Sequence, residues 1–237
     1  IATVSHELRT PLTGIIGILG MAESKIEDPK IRGYLDLCRD NANLLLGLVN
    51  SLLDLQQMRK GTLKLNISKI DIRKTIRDVT QLFLFQCNRK NIYLRFHVEK
   101  DVPLYINTDE NRLKQIFINL IGNAIKFTFT GGIDINISNS VTEACGLDIS
   151  VKDSGIGIKE EDRDNLFQMY VRLRDGETFN KNGVGLGLMI SNALAGLLNG
   201  GHDNKNIHVT SQYGCGTCFS FAILKDLVDF SPCKSPE

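Results

Sequence analysis

NRLKQIFINLIGNAIKFT, residues 111–128, is the stretch from which the fold is read. Leu113, Ile116, Phe117, Leu120, Ile121 and Ala124 recur at about 100° per residue, which predicts an amphipathic helix from about Asp109 to Phe127. Asn119, Asn123 and Lys126 fall on a second face and span only about 60° of the same wheel. Asn is a poor helix former, and a merely wet face would more commonly carry Glu or Lys. Two carboxamides and an ammonium beside a buried surface suit a Mg²⁺ ion and phosphate oxygens.

Outward from this helix the apolar period changes. Ile92, Leu94, Phe96 and Val98 alternate as a half-buried strand, as do Ile133, Ile135 and Ile137, then Leu147, Ile149 and Val151, the last two runs reading as a hairpin. Ile72, Ile76, Val79, Leu82 and Phe83 mark another helix. Further helices are expected near 159–170 and 184–198, with closing strands at 207–209 and 218–223. This order predicts an α/β sandwich, a mostly antiparallel sheet covered by helices on one face. Upstream, Val4, Leu8, Ile15, Leu19, Ala22 and Ile26 recur at helical spacing, EDPK around Pro29 interrupts, and Leu35, Cys38, Ala42, Leu45, Val49, Leu52 and Met58 resume it. The result is a two-helix hairpin, with Gly61 capping its second helix. A lone hairpin buries little, so it is expected to pair with a second copy as a four-helix bundle. The fold class is therefore α+β: residues 1–66 the helical hairpin, 67–226 the sandwich, 227–237 a disordered tail.

Composition sets the outer limits. With 42% hydrophobic and 23% charged residues the 237-residue chain is of globular type, and a formal charge of +1 argues against coating nucleic acid. No apolar run has the length of a membrane span, and no signal peptide is visible. The chain begins without Met, in mid-pattern, and is read as an excised soluble, cytoplasmic fragment, with any membrane attachment left to segments outside it. Six cysteines, at 38, 87, 145, 215, 218 and 233, have the scatter of reduced intracellular thiols. Cys215 and Cys218 form a C-x-x-C pair. It leads into a strand and no second pair completes a zinc site, so the expectation is two thiols in a turn and strand.

Three more stretches carry chemistry. In SHELRTPL, residues 5–12, His6 sits early in a helix with Glu7 beside it, Thr10 one turn on and Pro11 just after. A neutral imidazole offers one nitrogen lone pair to phosphorus, and Glu7 can accept the proton of the other nitrogen and hold the tautomer. Thr10 shares the His6 face, and Pro11, unable to donate to the Glu7 carbonyl, is expected to bend the helix. In LDISVKDSGIGI, residues 147–158, Asp153 shares parity with Leu147, Ile149 and Val151, so its carboxylate points inward and needs a donor. An adenine amine supplies one, and Gly155 and Gly157 let the backbone pass close to the base. NGVGLGL, residues 182–188, brings Gly183, Gly185 and Gly187 to the start of a helix, where amides can hold phosphates. The polar run 168–182 before it has the character of a mobile lid, from which Arg172 and Arg174 reach a γ-phosphate.

SHELRTPL resembles the phosphoacceptor box of sensor histidine kinases, and LVNSLLDLQQMRKGTLKL, residues 48–65, resembles the second helix and exit strand of their dimerisation and phosphotransfer domain. NRLKQIFINLIGNAIKFT, DSGIGI, LFQMY, GVGLGL and SQYGCGTCFSF, in that order, resemble the nucleotide-binding boxes of the gyrase, heat-shock chaperone, histidine kinase and MutL superfamily. The resemblance covers nearly the whole chain. It implies ATP and Mg²⁺ as cofactors, with Asn123 as metal ligand, Asn119 and Lys126 as neighbours of phosphate and metal, Asp153 as reader of adenine and Phe167 as the aromatic packing the lid. Leu188 and Thr217 join the nucleotide site through the same boxes. Autophosphorylation of His6 and transfer to an aspartate of a response-regulator receiver domain would follow, in a homodimer, and Thr10 would serve the reverse, hydrolytic reaction. The glycine run lacks a further Gly that many relatives carry, and LLNGGHDNKNIHV, residues 197–209, is longer than the usual turn. A kinase, an ATP-hydrolysing relative and a scaffold without activity are the readings weighed. Hydrolysing relatives place a Glu base where this chain has Asn119, and an amide takes no proton from water. With His6, Glu7, Asn123, Asp153 and the glycines all present, the kinase is the reading favoured.

Overall fold

The computed structural model describes residues 2–23, 25–140, 146–163, 165–167, 185–201 and 206–226. The chain divides into two compact units between Leu63 and Lys64.

The first unit is a hairpin of α1 (Ala2–Glu23) and α2 (Pro29–Arg59). Helix α1 runs unbroken through Pro11. Asp28 caps α2, its carboxylate accepting from the Lys30 amide at 2.8 Å, with Pro29 following as a first-turn residue that has no N–H to satisfy. At the other end Gly61 adopts φ +61°, its N–H donates to the Met58 carbonyl and the Thr62 N–H donates to that of Gln57, a Schellman closure. The expected Gly61 cap is thus formed, one residue beyond the cap position Lys60. Arg9 donates twice to Asn50, and Arg39 pairs with Glu23, so the helices run antiparallel.

The second unit opens with β1 (Ser68–Asp71), α3 (Ile72–Lys90), β2 (Tyr93–Val98), β3 (Tyr105–Thr108) and α4 (Glu110–Phe127). Strands β4 (Gly132–Asn139) and β5 (Gly146–Asp153) follow, then α5 (Glu160–Arg163), α6 (Gly187–Leu198), β6 (Ile207–Gln212) and β7 (Gly216–Leu224). Five strands form one sheet in the order β2-β4-β5-β7-β6; β2 pairs with β4 in parallel and the other neighbours are antiparallel. Asp109 caps α4 through the Arg112 amide, and its second oxygen accepts from Asn66 N–H at 2.7 Å, tying the irregular segment before β1 to the helix. Leu113, Ile116, Phe117, Leu120 and Ile121 lie fully buried against Ile133, Ile135, Ile137, Leu147 and Val151 from the inner face of the sheet.

Four local expectations are corrected. The helix sought at 159–170 is a single turn, 160–163; the amides of Asn165 and Leu166 bond three residues back, and an Asp-Asn pair follows the turn. The helix sought from 184 begins at Gly187. Strands β1 and β3 were not expected, because four-residue segments with one buried apolar residue each, Ile70 and Ile106, show no period. Leu82 faces solvent, and edge strand β2 leaves Phe96 more exposed than alternation implies. The 227–237 tail lies outside the described residues.

Candidate active site

Helix α4, the ends of β5 and β7 and the start of α6 converge to form the site. Asn119, Asn123 and Phe127 occupy successive turns of α4, each half-buried. Asn119 Nδ2 donates to the hydroxyl of Ser191 on α6 at 2.8 Å, and Ser191 is 1% exposed. A Cβ on Gly187 would overlap the same carboxamide, so glycine there lets the first turn of α6 sit against α4. One turn on, the Asn123 carboxamide has no hydrogen-bond partner among the described residues. Lys126 places its ammonium 5.5 Å from the Phe127 ring centroid.

The second cluster is built around Asp153, the last residue of β5 and 6% exposed, on the inward parity expected. Its Oδ1 accepts from Gly155 N–H at 2.8 Å and Thr217 N–H at 3.3 Å. Burial pushes its carboxyl above the ordinary value, and those two amides partly oppose the shift. Gly157 has φ +70° and packs so closely on the Gln212 carbonyl that a side chain would collide, so the packing of the protein itself already requires this glycine. The two clusters share α4: the Ile156 amide donates to the Phe127 carbonyl at 3.2 Å. Thr217 stands opposite Asp153 in the β5–β7 register. Gly185 has φ +74°, Leu188 lies half-buried in the first turn of α6, and Phe167 lies half-buried in a turn after α5. Gly183, Arg172 and Arg174 lie outside the described residues.

Three residues escaped the sequence reading. Lys90, at the end of α3, donates to the carbonyls of Ile125 at 2.6 Å, Lys126 at 3.1 Å and Thr128 at 3.4 Å, closing the C-terminus of α4. Desolvation lowers the pKa of this ammonium. Ser191 fixes Asn119. Ser211, in β6, takes the Ile158 amide at 2.8 Å and meets Gly216 and Thr217. Only Ser211, as first residue of the SQYGCGT box, carried a signal. In the helical unit His6 and Glu7 lie on α1 with side chains outside the described set, and Thr10 is exposed one turn further on. Cys215 and Cys218 are free thiols, in a turn and in β7, as expected.

Residues 1–61 match the family described as the His Kinase A (phospho-acceptor) domain, and residues 108–227 match the histidine kinase-, DNA gyrase B- and HSP90-like ATPases. This chain belongs to the histidine kinases. As a histidine kinase it is 35% identical over 232 residues to the signal transduction histidine-protein kinase BarA of Escherichia coli strain K12, covering 96% of this chain and 24% of that one. The chain thus spans about a quarter of the length of such curated relatives. The crystal structure of full-length ShkA in complex with AMPPNP is similar at a TM-score of 0.75 and 31% identity, over 94% of this chain and 44% of that one. The histidine kinase ThkA, crystallised in complex with response regulator protein TrrA, gives a TM-score of 0.56 at 25% identity, over 94% and 60%. The second unit of this kinase accordingly carries the ATP-binding domain of the family. None of its described helices is long and apolar enough to cross a membrane.

Proposed function

We propose that the chain transfers the γ-phosphoryl group of ATP to His6 and then to an aspartate of a response-regulator receiver domain. The electron pair of one imidazole nitrogen forms the N–P bond, the bond from Pγ to the β–γ bridging oxygen breaks, and ADP leaves with that pair. The proton of the other ring nitrogen passes to Glu7. A buried Asp153 carboxylate whose described bonds all go to Oδ1 fits an adenine amine, and the amides at the start of α6 fit phosphate. Among the described residues no three His, Cys, Asp or Glu could hold a metal. Mg²⁺ would be held by phosphate oxygens and water, with the Asn123 carboxamide the protein's contribution and Lys126 nearby. Bound there, it would neutralise charge on the β- and γ-phosphates.

The observation that carries transfer over hydrolysis is Asn119. Its amide is committed to Ser191, so neither its chemistry nor its freedom suits a base for water. The exposed apolar stripe of the hairpin, Ile15, Ile18, Met21, Ile31, Tyr34, Leu37, Leu45 and Leu52, supports a homodimer through these helices. The ThkA–TrrA complex supports a receiver domain as partner. Thr10, exposed near His6, is assigned to the reverse hydrolytic reaction, and the free thiols suit a cytoplasmic setting. The test is to incubate the chain with Mg-ATP and follow the γ-phosphoryl group. Up to one protein-bound equivalent per chain is expected; steady release of inorganic phosphate without bound label would establish an ATPase instead.

A further inference from the structure

We infer that Ser211 sets the hydrogen-bonding polarity of the purine-binding end of the site and acts, through Thr217, as a positioning residue for base selectivity. This rests on the nucleotide reading above and adds to it how one purine is told from another. Ser211 is buried near the end of β6, and its hydroxyl has three polar neighbours. The Ile158 amide donates to it at 2.8 Å, the Gly216 carbonyl lies at 2.9 Å and the Thr217 hydroxyl at 2.9 Å.

A hydroxyl has one proton and two lone pairs. The Ile158 N–H can only donate and the Gly216 carbonyl can only accept. All three contacts are hydrogen bonds in one arrangement alone: Ser211 donates to Gly216, and Thr217 donates to Ser211. The Thr217 proton is thereby engaged, and its oxygen has only lone pairs left to offer.

Thr217 and Asp153 are register partners on one face of the sheet, and the Thr217 amide holds Asp153 Oδ1. The adjoining ends of β5 and β7 therefore carry two acceptors side by side, a carboxylate and a hydroxyl oxygen whose proton is already engaged. Such a surface receives the exocyclic amine of a 6-aminopurine. The carbonyl of a 6-oxopurine would set oxygen against oxygen, and a buried pair of that kind is left without a hydrogen bond. Asp153 supplies part of that discrimination. Ser211 supplies more by leaving Thr217 no proton to offer.

The experiment measures dissociation constants of ATP and inosine triphosphate, with Mg²⁺, on the full chain and its variants. In the wild type ATP binds more tightly. In Ser211→Ala the freed Thr217 hydroxyl serves a 6-oxo group, and the preference for ATP should fall roughly tenfold. Ser211→Thr, which keeps the hydroxyl, should keep the preference. In a Thr217→Val background Ser211→Ala should change the ratio by less than about twofold, since Ser211 acts through Thr217. Equal weakening of both nucleotides by Ser211→Ala, or an undiminished change in the Thr217→Val background, would overturn the inference while leaving the nucleotide site standing. A wild type that binds neither nucleotide would remove the nucleotide site itself.

Discussion

In the α/β unit Leu113, Ile116, Phe117, Leu120 and Ile121 are 0% exposed, whereas among the described residues of the helical unit the best-buried apolar side chains, Leu12, Ala42, Val49 and Leu55, keep 6–8% of their surface. The helical unit also leaves Ile18, Met21 and Leu37 at 60–67% exposed. Both units draw on similar apolar residues at helical spacing, yet a sheet gives α4 something to cover it, and two helices alone offer each other one seam. The α/β unit closes its core by itself. The helical unit stays open along one stripe, which is the physical basis for reading a second copy into its function. On the proposed reading, the unit that would hold a nucleotide needs a fixed frame, and the unit that would present His6 can be completed by association.

This contrast is broken most sharply by paired truncations. Phe117→Ala should cost about 3–5 kcal/mol in denaturant unfolding of the α/β unit, since it opens a cavity in a closed core. Ile18→Ala should change chain stability within about 0.5 kcal/mol when the protein is dilute and show instead as weaker self-association in sedimentation. A smaller effect sharpens the description of the site. Burial raises the Asp153 carboxyl above its ordinary value, so the folded state holds that proton to a higher pH than the unfolded chain does. Above the raised value the buried charge is a constant cost. As pH falls through the window down to the ordinary carboxyl value, the folded state binds the proton first and the cost is progressively relieved. Asp153→Asn, keeping Oδ1 for the Gly155 and Thr217 amides, should raise the melting temperature by roughly 2–4 °C at pH 7. The gain should vanish below the ordinary carboxyl range, and ATP binding should be lost at every pH because an amide donor would then face the adenine amine.

Legibility followed the range over which a signal acts. Helix α4 was readable because eighteen residues repeat one period behind an Asp109 cap, and the inward aim of Asp153 followed from parity along β5. The α2 stop was readable because a positive φ at Gly61 is a local requirement. Strands β1 and β3 were not, since each exists through the other, thirty-odd residues away, and each buries a single isoleucine. The same holds for the residues that hold the site in shape. Lys90 reaches the end of α4 across 35 positions, Ile158 meets Ser211 across 53 and Asn119 meets Ser191 across 72. Neither Lys90 nor Ser191 differs, as sequence, from such a residue on a wet surface; Ser211 alone of the three stands in a recognisable box. The short α5 turn shows the opposite error, an extended helix expected where Asp and Asn favour turns over continuation.

Phosphoryl transfer to His6 is tested by locating the transferred group. Wild type, His6→Gln and Asn123→Ala chains are incubated with γ-labelled ATP and Mg²⁺, and the label is mapped to a peptide under neutral conditions and challenged with acid. Acid-labile label is expected on the peptide containing His6 in the wild type, none in His6→Gln with ATP binding unchanged, and at least a hundredfold loss in Asn123→Ala. Label that resists acid, maps elsewhere or survives His6→Gln would contradict transfer to His6.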